Sequence, residues 1–436
     1  KADSTNTNKT YQWYDYNNKM WANSVTVSET NREAYLNASP GTEIPMDDIL
    51  TMQVWGPRYK YKVWNYNSDG TVGSNSQEIK IVFEEGTNTT GNIICTDNIQ
   101  GEDGDGTSEI CRLKSTNEEC TDDTCNNKYY THPAFTFGSE EIEGFWIGKF
   151  EVSSDISCTR TTDAQLGTGC NLTTINPLVK PDVIGWSGAQ LGTFDNNIRT
   201  MNDNDNIYGF NSSTDTHMIK NMEWGAVAYL SHSKYGANRE VYINNSSGYY
   251  TGRSGGNVGG ATPINGTYQD QTSTIQYNTY GFYTYDGYLF DYGTNTKSNI
   301  KNLSKVASTT GNIYGVYDMA AANDDYVMAV ITAKDGKQLM SGTTNTINSG
   351  YTGIIYAEEN YTTYEGTYSY PEDKYYDKYS FGTDKTQRQR MKLGDGIKEV
   401  LDASNYGWAW HNDYNEAMRT IYPYLLRGGK STNTNT

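Results

Sequence analysis

The spacing of apolar residues predicts one well-defined helix in a chain of short strands and polar loops. Residues 218–236 read MIKNMEWGAVAYLSHSKYG. Apolar side chains recur there at intervals of three and four residues, which is typical of one helix face; they are Met222, Ala226, Val227, Tyr229 and Leu230. We expect the strands of the protein to pack around this helix.

The same stretch carries signals for both ends of the helix, which we expect to span 221–235. Asn221 can act as the N-cap, and Glu223 lies in the first turn, where the helix dipole favours a carboxylate. Lys234 falls in the last turn, and Gly236 can end the helix in the left-handed conformation.

Alternation with a period of two predicts strands before the helix. Residues 52–64 (MQVWGPRYKYKVW) end in an alternating run, so we expect a half-buried strand. One face holds Tyr59, Tyr61 and Val63, and the other holds Lys60 and Lys62. The run EIKIVFE at 78–84 alternates again and is expected to pair with this strand.

Other strand signals are less regular. GFWIGKFEVS at 144–153 is strongly apolar and is predicted to be a central strand, while residues 10–28 suggest a first strand or hairpin. Further signals occur at 280–293, 311–333 and 424–427, and no fixed-period repeat is present.

Composition indicates a folded, mostly β protein. Only 35% of the 436 residues are hydrophobic, but 38 are Tyr, whose rings bury large areas while the hydroxyl stays wet. Disordered chains are poor in aromatic residues. The polar segments 1–10 and 430–436 are expected to be tails.

The formal charge of −18 disfavours nucleic acid and anionic membranes as partners, because both repel an acidic surface. No apolar run is long enough to span a membrane, so no membrane insertion is expected. The chain begins at Lys1 without an initiator Met or signal peptide, and we interpret it as a mature or trimmed product.

Six cysteines predict disulfides and an oxidising, extracellular compartment. They are Cys95, Cys111, Cys120, Cys125, Cys158 and Cys170. Their number is even and no zinc-type spacing occurs, which favours disulfides over a metal site. Sequence order suggests the pairs Cys95–Cys111, Cys120–Cys125 and Cys158–Cys170, one of fifteen possible pairings. Residues 86–130 are predicted to form an acidic insertion, too polar for a core of its own and held by disulfides.

No residue pattern indicates a catalytic centre or a cofactor. The four histidines, His132, His217, His232 and His411, have no neighbour at metal-ligand spacing and are interpreted as structural or solvated. The acidic run Glu140, Glu141 and Glu143 is interpreted as a solvated loop. Calcium at GEDGDGTSE (101–109) or NDNDN (202–206) is the one alternative, although the EF-hand pattern fails at Gly101 and Arg112.

The best candidate ligand-binding surface in the sequence is YGWAWHNDYNE at 406–416. Its aromatic rings could stack on a sugar or pack into a protein partner, and its polar side chains could supply hydrogen bonds. The set is Trp408, Trp410, His411, Asn412, Asp413 and Tyr414. The alternative is that both tryptophans fill the core beneath the loops.

Four segments in order resemble the formylglycine-generating enzyme (sulfatase-modifying factor) family: FWIGKFEVS, NMEWGAVAYL, GNIYGVYDMA (311–320) and LLRGG (425–429). The resemblance covers roughly 47–429 and implies an irregular α+β fold of the C-type-lectin-like kind, rich in strands and loops with few helices. The segments at 13–16, 20–23, 38–49 and 54–64 are also similar to Tyr-rich surface proteins of gut-type Gram-positive bacteria and their phages.

Departures from that family imply that the fold is kept and the chemistry is lost. The enzymes use a C-terminal cysteine pair for copper-dependent oxidation, and this chain has no cysteine after Cys170. The family's G-N-x-W-E-W stretch, often involved in calcium binding, aligns with AAANDDY at 320–326. It places Ala322, Asp324 and Asp325 where that family has Asn, Trp and Glu, so calcium is not expected there.

We therefore expect one domain at 31–429, preceded by a tail and strand-like segment at 1–30. The expected function is a non-enzymatic extracellular surface protein, either an adhesin that binds a carbohydrate or protein ligand or a self-assembling, pilus-like filament subunit. The alternatives are a phage receptor-binding or tail-decoration protein, and a secreted enzyme. Self-association is expected through 10–28, which could add a strand to a neighbouring copy or instead fill a gap in its own chain.

Overall fold

The computed structural model describes residues 13–62, 76–97, 109–120, 122–125, 127–156, 172–181, 185–186, 188–238, 240–242, 256–257, 260–263, 267–269, 274–276, 288–291, 296–299, 309–310, 312–317, 319, 325–332, 339–341, 349–357, 360–364, 366–379, 392–397 and 424–427.

The helices of this part are α1 (Glu29–Asn37), α2 (Asp122–Cys125), α3 (Leu191–Arg199) and α4 (Asn221–His232). Short 3₁₀ helices occupy Tyr16–Asn18, Met46–Asp48, Pro133–Phe135, Thr200–Asn202 and Asp373–Tyr375. The strands are β1 (Asn23–Val27), β2 (Ile49–Pro57), β3 (Tyr59–Lys62), β4 (Ser76–Glu78), β5 (Ile81–Phe83), β6 (Ile93–Asp97), β7 (Glu109–Leu113), β8 (Tyr129–Thr131), β9 (Thr136–Phe137), β10 (Glu140–Glu141), β11 (Gly144–Gly148), β12 (Ser153–Ser154), β13 (Pro177–Leu178), β14 (Glu240–Tyr242), β15 (Gly256–Asn257), β16 (Gly260–Pro263), β17 (Thr267–Gln269), β18 (Thr274–Gln276), β19 (Tyr288–Asp291), β20 (Thr296–Asn299), β21 (Asp325–Ile331), β22 (Leu339–Ser341), β23 (Gly353–Ala357), β24 (Asn360–Tyr364), β25 (Asp377–Tyr379) and β26 (Tyr424–Arg427). The fold is thus α+β, strand-rich and with few helices, as the sequence predicts.

Helix α4 lies at the centre of the main hydrophobic core. All of its residues are buried, so it is surrounded by protein rather than amphipathic at a surface. Gly225 lets the chain pack closely: a Cβ there would lie 2.1 Å from the carbonyl oxygen of Gly394. The strands do pack around this helix, which confirms the prediction.

The ends of α4 differ from the sequence prediction. Asn221 is the first helical residue rather than the N-cap, because the Glu223 carboxylate binds the Lys220 N–H (2.8 Å) and fixes the helix start one residue earlier. The helix ends at His232, so Lys234 lies beyond it. Gly236 is not left-handed; a Cβ there would lie 2.1 Å from the Ser231 carbonyl oxygen, so close packing is what requires the glycine.

A five-stranded sheet in the order β5–β3–β8–β6–β7 covers one side of α4. Tyr59 and Tyr61 of β3 are fully buried, and the Tyr61 ring stacks on Tyr229 of the helix at 5.0 Å between centroids. The predicted alternation in β3 is therefore confirmed for Tyr59–Lys62. Its predicted pairing with the next apolar run is confirmed by the antiparallel register of Tyr61 with Ile81.

The described residues of 86–130, the predicted acidic insertion, are joined to the main sheet. They contribute β6 and β7 to the five-stranded sheet, and Ile93 and the buried cysteines of the segment belong to the main core. The polar residues that suggest an insertion alternate with these few buried ones. Two disulfides, Cys95–Cys111 and Cys120–Cys125, join the segment as sequence order suggests.

A three-stranded antiparallel sheet has the order β1–β2–β11. The prediction that β11 is a central strand is wrong: it is an edge strand of this sheet with one face half exposed. Its apolar residues face both ways, toward the core and toward solvent.

Strand β1 pairs within its own chain, Asn23 with Val54 and Val25 with Met52. Trp21 just before it is buried, and its indole N–H donates to the Tyr235 carbonyl oxygen at 2.8 Å. Within the predicted segment 10–28, β1 therefore pairs with β2 of its own chain, while self-association through this segment stays a prediction.

The third main sheet has the order β25–β21–β26 and packs against α4. Strand β21 is buried from Val327 to Ile331, pairs in parallel with β25, and pairs in antiparallel fashion with β26. Both β21 and β26 fall where the sequence predicts strands.

Candidate ligand-binding face

Trp55 and Trp146 form an aromatic pair on the solvent side of the β1–β2–β11 sheet. They are directly opposite each other across β2 and β11, with ring centroids 5.2 Å apart and planes tilted by 59°. Trp146 is 42% exposed and Trp55 is half-buried. Neither indole N–H donates to another described residue.

Strand alternation explains why both rings face outward. Side chains at successive strand positions point to opposite faces. Val54, Phe145 and Ile147 point inward and contact the main core, so Trp55 and Trp146 must point away from it. Each Trp is thus exposed or half-buried although its sequence neighbours on the same strand face the core.

Gly144 on β11 leaves the space that the Trp55 ring occupies. A Cβ at Gly144 would lie 2.6 Å from the Cζ2 atom of Trp55, so the indole lies across a position that only glycine leaves clear. The ring therefore rests on the sheet itself.

Polar groups adjoin the two rings on the same face. The Ser24 hydroxyl donates to Gln53 Oε1 at 3.2 Å, and Gln53 Nε2 donates to the Thr51 hydroxyl. These bonds hold the Gln53 amide in one orientation beside Trp55, where its second N–H and its oxygen can meet a ligand.

The face carries no charge among its described positions. Following the register of the three strands, the outward residues are Ser24, Gln53, Trp55, Pro57, Gly144, Trp146 and Gly148. We call this set the tryptophan face. It combines two indole rings, two indole N–H groups without an acceptor among the described residues, and one oriented amide.

A charged cluster lies at the start of α4. His217 Nδ1 lies 2.7 Å from the Asp215 carbonyl oxygen, and Nε2 lies 3.1 Å from a Glu223 carboxylate oxygen. Since both partners are acceptors, both ring nitrogens must carry protons. Burial is the largest single influence and lowers the pKa of His217, but the charge of Glu223, its hydrogen bond and the Asp215 carbonyl together outweigh burial and raise that pKa.

Within this cluster, the charge of Glu223 is balanced by neighbouring cationic side chains. Burial opposes ionisation of Glu223, yet His217 and Lys220 lower its pKa to about 2. The Asp377 carboxylate accepts from the Met222 N–H at 2.7 Å, which occupies the first turn of α4. The arrangement anchors the helix, and its carboxylates already fill the positions that an anionic ligand would need.

The other described histidines are structural, as predicted. His132 is fully buried, its Nε2 lies 2.9 Å from the Gly394 carbonyl oxygen, and burial lowers its pKa to about 3. His232 Nδ1 lies 2.9 Å from the Ala228 carbonyl oxygen within α4. His132 is therefore neutral, and both rings pack in the protein interior.

Glu140, Glu141 and Glu143 are exposed, as predicted, but the first two form β10 rather than a loop. The Glu141 carboxylate also lies 2.6 Å from Nη2 of the buried Arg58, and Glu84 binds the same guanidinium at 3.1 Å. A buried arginine needs carboxylate partners that spacing alone does not reveal.

The predicted site residues fall as follows. The 406–416 set (Trp408, Trp410, His411, Asn412, Asp413 and Tyr414) and the pair Cys158 and Cys170 lie outside the described residues. The remaining four cysteines form the two disulfides. Sequence reasoning missed Trp55 and Trp146, although the alternation that buries Val54 and Ile147 could have placed both rings outward.

The described residues offer little to a metal ion. Their one group of closely placed potential ligands is Cys95, Glu109 and Cys111, whose two sulfurs are joined in a disulfide. In the 202–206 run, Asn206 Oδ1 accepts from the backbone N–H groups of Tyr208 and Gly209, which makes it a turn residue. Residues 101–108 lie outside the described part.

No helix of the described part is both long and apolar enough to cross a bilayer. Among known proteins, the chain matches no family model, and no curated protein is similar to it at a significant level.

Proposed function

We propose that this chain is a non-enzymatic extracellular binding protein that holds its ligand on the tryptophan face. The observation that carries the proposal is the Trp55–Trp146 pair: two adjacent indoles, one half-buried and one 42% exposed, whose N–H groups donate to no described residue. Two aromatic rings in contact on the open face of a sheet support a binding surface better than one exposed ring does.

The two disulfides support an extracellular location. Such bonds persist in oxidising compartments and are rare where thiols are kept reduced. Binding rather than catalysis is supported by the absence of a cysteine after Cys170, since a thiolate is the ligand and redox group of the oxidase that the sequence resembles.

The proposed fold is that of a non-catalytic relative of the formylglycine-generating enzymes, with the C-type-lectin-like architecture. Support comes from the places of the four segments that resemble this family. They fall in β11, in α4, just before β21, and in β26. Residues of β11, α4 and β26 pack in the same hydrophobic core. A phage receptor-binding or tail-decoration protein would carry the same binding face, and genomic neighbours distinguish that alternative. A pilus-like filament would have to leave the pairing of β1 with β2 in place.

Adhesion of the purified protein to chemically complex surfaces tests the proposal. Wild type, the double variant Trp55→Ala/Trp146→Ala and the control Trp13→Ala are applied to immobilised mucin and fixed epithelial cells. Trp13 is a suitable control because it is 41% exposed yet lies outside the sheet.

We expect wild type and the control to be retained and the double variant to lose at least about ten-fold in retention. Circular dichroism must show unchanged folding. Equal retention of all three proteins, or no retention of wild type on either surface, would contradict the proposal.

A further inference from the structure

We infer that the ligand of the tryptophan face is an uncharged saccharide, a conclusion that rests on the proposed function above. The rings, the donors and the charge of the face each narrow the class of ligand.

Ring geometry favours a sugar-sized apolar surface. Two partly exposed indoles offer on the order of 200 Å² of apolar area. A stable protein interface buries about 800 Å² on each partner. The positions next to the rings are Gly144, Gly148, Gln53 and Pro57, so Pro57 is the one further apolar side chain of the tryptophan face and the apolar patch stays small.

The hydrogen-bonding groups of the face match hydroxyls. The C–H groups of a pyranose ring can lie on an indole, while its hydroxyls act as both donors and acceptors. The Trp55 and Trp146 N–H groups are donors, and the oriented Gln53 amide provides both a donor and an acceptor at the edge of the rings. A lipid chain would satisfy none of these groups.

Charge excludes the acidic saccharides. No lysine or arginine occupies the tryptophan face, so a carboxylate or sulfate would find no cation there. The net charge of −18 repels an anion further. The 59° tilt between the rings also fits a twisted oligosaccharide chain better than a flat crystalline surface.

A glycan array tests the inference directly. The full chain is applied to immobilised neutral oligosaccharides, their sialylated or sulfated counterparts, and lipid vesicles of phosphatidylcholine. Wild type, Trp146→Ala, Gln53→Ala and the control Trp13→Ala are compared, and dissociation constants are measured by calorimetry for the best ligand.

We expect wild type to bind neutral oligosaccharides, with at least a ten-fold weaker Kd for Trp146→Ala, a smaller loss for Gln53→Ala and no change for Trp13→Ala. Preference for acidic glycans, binding to vesicles alone, or no glycan binding would overturn the inference. If adhesion in the earlier experiment still depends on Trp55 and Trp146 while no glycan binds, the ligand is a protein: the saccharide class fails and the proposed function stands.

Discussion

The guanidinium of Arg427 lies over the indole of Trp224, with its central carbon 3.7 Å from the ring centroid. Both residues are buried, one on β26 and the other on α4. Arg427 also donates to Asn221 Oδ1 at 3.2 Å and to the Asp395 carbonyl oxygen at 3.1 Å. This contact fixes the last described strand to the central helix.

Replacing Arg427 with Lys should destabilise the protein by on the order of 3 kcal/mol, because lysine keeps the charge but loses the guanidinium contact with the indole and the forked hydrogen bonds. Urea unfolding measures the change. The control is Arg112→Lys: the half-exposed Arg112 pairs with Glu119 at 3.5 Å, and its loss should cost below about 1 kcal/mol. Equal effects of the two substitutions would contradict this account of Arg427.

The His217–Glu223 pair should make stability depend on pH in two directions. The pKa of His217 is raised in the folded state, so its contribution is complete below about pH 6.5 and is lost as the pH rises through the folded pKa. The pKa of Glu223 is lowered to about 2, so its contribution is complete above its unfolded value and is lost as the pH falls toward 2.

We therefore expect His217→Gln to remove the decline of the unfolding free energy above pH 6.5 that wild type shows. Thermal unfolding between pH 5 and 9 measures this decline. The control is Lys374→Gln, which removes the charged partner of Asp215 and leaves His217 in place. A wild-type curve parallel to the His217→Gln curve would show that the imidazolium is not formed.

The disulfides should contribute unequally, because they close loops of different length. The residues of Cys95–Cys111 are 16 apart and those of Cys120–Cys125 are 5 apart. Loop entropy then predicts losses of about 3 and about 2 kcal/mol for the paired Cys→Ala variants. Thiol titration of the unfolded, unreduced chain should find no free thiol, which also tests the predicted Cys158–Cys170 pair.

Trp21 should act as an internal anchor for β1. Trp21→Ala is expected to cost about 3–5 kcal/mol, since it removes a fully buried indole and its hydrogen bond to Tyr235. Light scattering should show the same particle mass for variant and wild type. A changed mass with an unchanged unfolding free energy would instead support strand exchange between copies.

Local pattern is enough to find the central helix and several strands. The stripe from Met222 to Leu230, the Tyr59–Tyr61 alternation and the apolar run before Arg427 each depend on near neighbours in sequence, and each lies where the sequence predicts it. The order of strands in a sheet depends on distant pairings, which is why local pattern does not reveal the edge position of β11.

Local sequence does not predict which polar side chains are buried. Arg58, Lys149 and Arg427 are interior cations in a chain with many exposed ones, and only their contacts distinguish them. Lys149, for example, donates to Asn23 Oδ1 at 2.6 Å, from 126 residues away. The same holds for the tryptophan face, because Trp55 and Trp146 become neighbours only when β2 and β11 pair.

The central claim is that the ligand lies on Trp55 and Trp146, and fluorine NMR of protein labelled with 5-fluorotryptophan tests it most directly. The chain has 9 tryptophans, and Trp→Phe variants assign their signals. On titration with a neutral oligosaccharide, we predict that the Trp55 and Trp146 signals shift together and saturate. Shifts confined to Trp408 and Trp410, or no shift at Trp55 and Trp146, would contradict the account.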